Sequence, residues 1–207
     1  MKKIKIDIQD ISKEQIDLII DYLKQGRVVV LPTDTIYGLH CLATNRRAIN
    51  KIYRIKKRSK RKPLLILVSS IAMLKRYCYV SNKQLEYLKK IWPGQPQFIK
   101  TGSKPVTVTL KSKRILPEEL TGGRDSIAVR LPKNEFLLKI INKVKVPIIS
   151  TSLNISGEKD LTNLNNIGKY FKANKPDLIV NASESNMSQP SKLIDLRDIN
   201  NIKILRK

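Results

Sequence analysis

The sequence predicts a single α/β domain over residues 1–207, of the α+β type, in which a twisted mixed β-sheet is flanked by helices. Three observations predict it. A chain of 207 residues is one domain at about 100 to 200 residues per domain. Hydrophobic residues make up 41% of it and recur as short runs along the whole length, enough to bury a core. Those runs change period, β-branched stretches of strand length interleaving with apolar residues at helical spacing.

Ser12-Lys13-Glu14-Gln15 reads as an N-cap serine with a glutamine three residues on, and Ile16, Ile19, Ile20 and Leu23 follow at helical spacing until Gly26. Arg27 to Leu31 is a β-branched run stopped by Pro32, so it reads as a buried strand delivering Thr33-Asp34-Thr35-Ile36-Tyr37-Gly38-Leu39 into a loop. A basic helix is expected over Asn50 to Arg58 and an apolar strand over Pro63 to Val68. The cluster Arg54, Lys56, Lys57, Arg58, Lys60, Arg61 and Lys62 is thereby held on a fixed frame. Leu85, Leu88 and Ile91 space a helix to Trp92 that Pro93-Gly94 ends, and Gln95 to Lys104, without a period, reads as a loop. Further strands are expected over Val106 to Leu110, Ser126 to Leu131, Val146 to Ser150, Leu178 to Val180 and Lys192 to Leu196, with a Ser/Asn/Gly segment at 150–157.

Lys and Arg number 41 against 17 Asp and Glu, a formal net charge of +24. That excludes an acidic solvating protein and suits a polyanionic partner. Lys, Ile and Asn are abundant together, so dispersed charge from coding bias is the alternative. Cys41 and Cys78 stand far apart without a CxxC pair, which argues against a disulfide framework or a thiolate zinc site and for a cytoplasmic protein. The N-terminus has no apolar export region, and no segment approaches the roughly 20 apolar residues of a membrane span.

The sole histidine, His40, has no second His or Cys beside it, so it builds neither a zinc site nor a Cys-His pair and reads as structural. Ser150-Thr151-Ser152-Leu153-Asn154-Ile155-Ser156-Gly157 lacks His-Asp partners and a G-x-S-x-G elbow, which leaves nucleophilic catalysis unsupported. Neither a G-x-G-x-x-G fingerprint nor a Walker lysine motif occurs. A nucleotide would have to be held by cations on a rigid strand-loop frame, for which Lys56, Arg58 and Lys62 are suited.

Six segments in order resemble one family, the YrdC-like threonylcarbamoyl-AMP synthases, in its short single-domain branch. They are Pro32 to Leu39; Lys56-Lys57-Arg58 with Lys62-Pro63-Leu64; Trp92-Pro93-Gly94; Thr121 to Arg130; Ser150 to Gly157; and Pro190 to Asp195 with the terminal Ile204-Leu205-Arg206. The resemblance implies a YrdC-like fold with a basic concave cleft. It also implies condensation of L-threonine, bicarbonate and ATP, with Mg²⁺, to threonylcarbamoyl-AMP and pyrophosphate. The product serves N6-threonylcarbamoyladenosine formation at position 37 of tRNAs, through a downstream threonylcarbamoyl transferase. Carried over by position, Thr35, Arg130, Ser150 and Ser191 would bind L-threonine. Arg58, Lys62, Ser126, Ser152, Asn154 and Arg206 would bind ATP, and Lys56 and Arg58 would be catalytic, with no protein metal site. Alternatives stay open: Thr35 as a loop hydroxyl, Arg130 as a surface ion pair, Ser150 and Ser191 as turn hydroxyls. Lys57, Lys60 and Arg61 read as a solvated or RNA-facing surface.

Departures from the family pattern carry expectations of their own. Leu67 stands where many longer relatives have a substrate-facing histidine, which weakens the case for acid-base help there. Leu153 replaces a small residue and is expected near the nucleotide or the threonine side chain. Ser59 replaces a proline after Arg58, Asp160 would bring a carboxylate to the nucleotide, and Gln95 to Lys104 reads as an insertion. The chain stops at Lys207 without room for the extension domain of the long branch. Two other functions compete: an RNA-binding or ribosome-assembly module on the same fold, drawing on tRNA or double-stranded RNA as partner, and a carbamoyl-phosphate-type acyl adenylation domain indifferent to threonine.

Overall fold

Ser12 opens the first helix as its spacing predicts. Its hydroxyl accepts from the Gln15 backbone N–H while the Gln15 side chain accepts from the Ser12 N–H, and Ile16, Ile19, Ile20 and Leu23 form the buried stripe. The computed structural model describes residues 1–92, 105–182 and 190–207. The expected loop and insertion at 95–104, and Pro93-Gly94 before it, lie outside the described residues.

In chain order the elements are β1 (Lys2–Ile6), α1 (Lys13–Lys24), β2 (Val29–Leu31), β3 (Gly38–Leu42), α2 (Arg46–Ile55), β4 (Leu65–Leu67), α3 (Ile71–Tyr77) and α4 (Asn82–Ile91). They continue with β5 (Val106–Lys111), α5 (Glu118–Thr121), β6 (Ser126–Arg130), α6 (Glu135–Val144), β7 (Ile148–Ser152), α7 (Ile167–Tyr170), β8 (Leu178–Ala182), β9 (Lys192–Asp195) and β10 (Lys203–Arg206). The strands make one mixed sheet in the order β1-β8-β2-β3-β7-β4-β6-β5-β9-β10. Helices flank it, and the mixed α/β expectation holds. Each predicted strand is present within a few residues. The predicted helix at 50–58 starts earlier, at Arg46, because Asn45 caps it by accepting from the Ala48 N–H.

Several elements are not among those expected from sequence: β1, β3, α3, α5, α6, α7 and β10. β3 corrects the reading of Gly38-Leu39 as loop, since both residues are already paired to β2 and β7. The strand also fixes His40, which is fully buried. β7 likewise runs past its expected end at Ser150 to Ser152, into the Ser/Asn/Gly segment.

Registry decides what the sheet presents. Directly paired residues run across it as His40, Ser150, Leu65, Ala128, Thr109 and Asp195. Because side chains alternate along a strand, this row shares its face with Gly38, Ser152, Ser126, Arg130 and Thr107, each one period away. Motifs far apart in sequence therefore converge on one surface. Lys51 Nζ, within 2.6 and 2.7 Å of the two Asp177 carboxylate oxygens, ties α2 to the segment entering β8, and Asp177 also accepts from the Val28 N–H at 2.8 Å.

Candidate active site

That face is the floor of a cavity of about 650 Å³. Of the residues singled out from sequence, Thr35, Arg58, Lys62, Ser126, Arg130, Ser150, Ser152, Ser191 and Arg206 line it, and Lys56 and Asn154 do not. Its walls carry the cations Arg58, Lys62, Arg124, Arg130, Arg197 and Arg206 against Asp125, Asp160 and Asp195. Asp195 is already matched by Arg197, whose Nη2 lies 2.7 Å from its carboxylate, so the cavity is electropositive.

One end is buried and networked. Arg130, 3% exposed, donates through Nη1 to Thr35 Oγ1 at 3.3 Å and pairs through Nη2 with Asp34 at 3.2 Å. Asp34 is held in turn by the Lys133 N–H at 3.1 Å. Arg130 is thus a buried ion pair and not a surface one. Its Nε, also buried, has no hydrogen-bond partner among the described residues. Burial lowers the guanidinium pKa, Asp34 opposes that, and Arg206 adds a further lowering, so the two arginines feel each other. Thr35 Oγ1 lies 2.9 Å from Thr33 Oγ1, which bonds the Ile36 carbonyl at 2.7 Å, so the loop fixes the hydroxyl. Across the cavity Ser191 Oγ meets Thr107 Oγ1 at 2.8 Å, and Arg206 donates to the Ser191 carbonyl and hydroxyl at 3.0 and 3.3 Å. Arg206, expected at the nucleotide, stands against Ser191 and in the field of Arg130.

The other end is open. Arg58 donates through Nε to the Lys62 carbonyl at 3.2 Å and through Nη2 to the Pro63 carbonyl at 3.0 Å, which fixes its direction. Lys62 is exposed. Ser59, where the family pattern has proline, closes the turn itself, its hydroxyl accepting from the Arg61 N–H at 3.3 Å and its carbonyl from the Lys62 N–H at 3.0 Å. The neighbouring turn packs on this loop: Gly122 has φ +61, and a Cβ there would lie 2.9 Å from the Arg61 carbonyl oxygen.

Lys56 sits beneath the cavity, 1% exposed. Its ammonium donates to the Ser152 carbonyl at 2.5 Å and to Asn154 at the carbonyl (3.0 Å) and Oδ1 (2.5 Å). Burial, then the charge of Arg58, pushes its pKa down to about 8, with Asp160 opposing. Asn154 completes the brace by accepting from Ser152 Oγ at 2.7 Å and donating to the Glu158 carbonyl at 2.6 Å. Both residues shape the loop that presents Ser152.

Leu153, expected to face a ligand, is fully buried in the core instead. It follows Ser152, and alternation sends the two side chains to opposite sides. Leu67 is buried beside Arg130 in the sheet and is not part of the cavity wall. Asp160 does line it. Thr107, Thr109, Arg124, Asp195 and Arg197 also line the cavity without having been assigned there. The Thr107/Thr109 alternation was a usable signal for a polar strand face.

A family model described as "Telomere recombination" and labelled Sua5/YciO/YrdC matches residues 21–207. The chain is 31% identical over 189 residues to a threonylcarbamoyl-AMP synthase of Pyrococcus abyssi, covering 91% of this chain and 52% of that one. It is 30% identical to a putative threonylcarbamoyl-AMP synthase of Methanocaldococcus jannaschii over 93% of this chain and 87% of the relative. The chain thus spans about half the length of the Pyrococcus relative and most of the Methanocaldococcus one. Among solved structures, P. abyssi Sua5 complexed with L-threonine superposes with TM-score 0.79 at 28% identity, over 94% of this chain and 54% of that one. E. coli YciO, at 23% identity and TM-score 0.79 over 100% of this chain and 94% of that one, shares the fold.

Proposed function

Because the chain belongs to the Sua5/YciO/YrdC family, we propose that it is a threonylcarbamoyl-AMP synthase, a nucleotidyltransferase that condenses L-threonine, bicarbonate and ATP. One observation carries the reading: the buried, unpaired Nε of Arg130 among the fixed hydroxyls of Thr35 and Ser191, at the end of a cavity whose other end holds cations. A small zwitterionic amino acid with a hydroxyl suits the first end, and a triphosphate suits the second.

The substrate carboxylate docks on Arg130, whose planar fork has a free N–H, and Ser150 and Ser191 offer hydroxyls to the rest of the molecule. The threonine amine condenses with bicarbonate to an N-carboxylate, releasing water. A carboxylate oxygen then bonds the α-phosphorus of ATP while the bond from that phosphorus to the bridging oxygen breaks, and pyrophosphate leaves. An anion approaches an anion in this step, so the protein contributes position and preorganised charge and forms no covalent intermediate. Arg58 and Lys62 face the tail where charge builds, with Arg58 already aimed by its two carbonyl contacts. Lys56 and Asn154 are positioning residues that hold Ser152 in the wall. No group of three or more His, Cys, Asp or Glu forms a metal cluster among the described residues. Asp125 and Asp160 are the wall carboxylates that would hold a Mg²⁺ ion together with the triphosphate, whose charge it would neutralise.

The product passes to a separate transferase acting on tRNA in the cytoplasm. Exposed Lys57, Lys60 and Arg61 beside the open end would face that RNA. Purified protein given ATP, bicarbonate and Mg²⁺ is expected to release pyrophosphate only when L-threonine is added. Release that ignores threonine, or none at all, overturns the reading.

A further inference from the structure

A second cavity, of about 560 Å³, lies beside the first and has no part in the chemistry above. Its walls bring Arg46, Arg114 and Arg124 together with the single carboxylate of Glu118. Arg46 is matched by Glu119 at 3.1 Å. The guanidinium groups of Arg114 and Arg124 make no hydrogen bond or ion pair among the described residues. Arg114 and Arg124 against the one carboxylate of Glu118 leave this wall with a net positive charge, which a bound anion would balance.

The position of this cavity points to which anion. Arg124 lines both cavities. It ends the Thr121–Arg124 turn, whose Gly122 packs against the Arg61 carbonyl and so against the loop that carries Arg58 and Lys62. The second cavity therefore adjoins the end of the first that carries Arg58 and Lys62. Arg114 holds a left-handed backbone, φ 56, in a turn where its N–H donates to Ser112 Oγ at 3.0 Å. The first turn of α2, at the cavity edge, carries Arg46 and Arg47 and no acidic residue, the reverse of what a helix start favours in isolation.

We propose that the second cavity receives inorganic pyrophosphate as it leaves the first, with Arg124 handing it to Arg114. The inference rests on the function proposed above, since only a reaction that expels pyrophosphate at the open end supplies this ligand. It gives the anion a route out that does not cross the amino-acid end, where the acyl product is held.

Pyrophosphate titrated calorimetrically into the full chain, already saturated with a non-hydrolysable ATP analogue, tests it. Binding is expected in the presence of the analogue, and Arg114→Ala should weaken it about tenfold, the loss of one charge-assisted contact. Arg114→Lys should recover part of that loss. Affinity for the ATP analogue should not move, because Arg114 is not in the first cavity. Pyrophosphate that competes strictly with the analogue, or binds Arg114→Ala as tightly as the parent, overturns the proposal. The titration needs no turnover, so its failure is separate from a failure of threonine-dependent pyrophosphate release.

Discussion

The two ends of the main cavity hold their cations in opposite ways. Arg130 is desolvated and braced by Asp34 and Thr35 before any ligand arrives, whereas Arg58 is only half-buried and Lys62 and Arg124 stand in solvent. At the first end the penalty of stripping water from the charge is met on folding. At the second it is met on binding. Under the proposed function the buried end therefore selects shape and hydroxyl pattern and ignores salt, while the open end supplies salt-screened attraction for a polyphosphate.

Arg130→Ala breaks the comparison most severely. It removes the carboxylate partner and leaves the Asp34 charge, whose side chain is 11% exposed, without its guanidinium. Breaking a buried pair in this way costs about 4 kcal/mol of stability and should lower the melting temperature, while the lost charge-assisted contact should separately lower threonine affinity about a hundredfold. Arg130→Lys should not restore binding, because a point charge cannot reach Asp34, Thr35 and a ligand together. Unchanged threonine-induced thermal stabilisation in either variant would move the amino acid elsewhere.

His40 sharpens the same contrast through pH. Burial, then the charge of Arg130, pushes its imidazole down to about 3, although the Gly38 and Val29 carbonyls favour the proton weakly. The ring also depends on Gly38, where a Cβ would stand 2.8 Å from Cε1. The unfolded chain binds a proton at His40 near pH 6.5 while the folded chain stays neutral, so the unfolded state holds more protons between about 6.5 and 3. Stability is full above pH 6.5 and is lost as pH falls, by roughly 3 kcal/mol between pH 7 and 4. Denaturant melts of His40→Gln should be flatter over that window. A slope equal to the parent's would show that the imidazole is not held neutral.

Arg58→Glu tests the open end. It replaces an aimed cation by a repelling anion, and ATP affinity should fall about a hundredfold with threonine affinity unaltered. Added salt should weaken ATP binding to the parent and barely touch threonine binding. If the reversal leaves ATP affinity intact, the basic run serves another ligand.

How much of this was legible follows the same division. The motif segments named every residue at the buried end except Thr107 and Asp34's bracing role, because short polar segments at strand ends leave a mark in sequence. Lys56, expected as a catalytic residue supporting the ATP ligands, lies beneath the cavity, and Ile49, Ile52, Tyr53 and Lys56 share the buried stripe of α2 and its exit, a spacing that points it inward. The face of Leu153 depends on where β7 ends, and β7 runs two residues beyond the expected end at Ser150. α6 was missed although Phe136, Leu137, Ile140 and Ile141 keep helical spacing after the cap Asn134. β3 hides for a physical reason: Gly38 to Cys41 are buried on both faces, so no alternation marks them. β10 is exposed throughout and exists through its pairing with β9, which no local pattern records.

The smallest expected effect is the most diagnostic of the buried network. Thr107→Val keeps the shape of the side chain and deletes the hydroxyl that meets Ser191 Oγ at 2.8 Å. Ser191 retains its contact from Arg206 at 3.3 Å, so the serine is weakened and not abandoned, and the loss should be near 1 kcal/mol. Threonine affinity should drop about fivefold while ATP affinity and the ionic-strength response stay as in the parent. A matching loss of ATP affinity would mean that Ser191 and Arg206 serve the nucleotide, and the boundary between the two ends would have to be redrawn along β9.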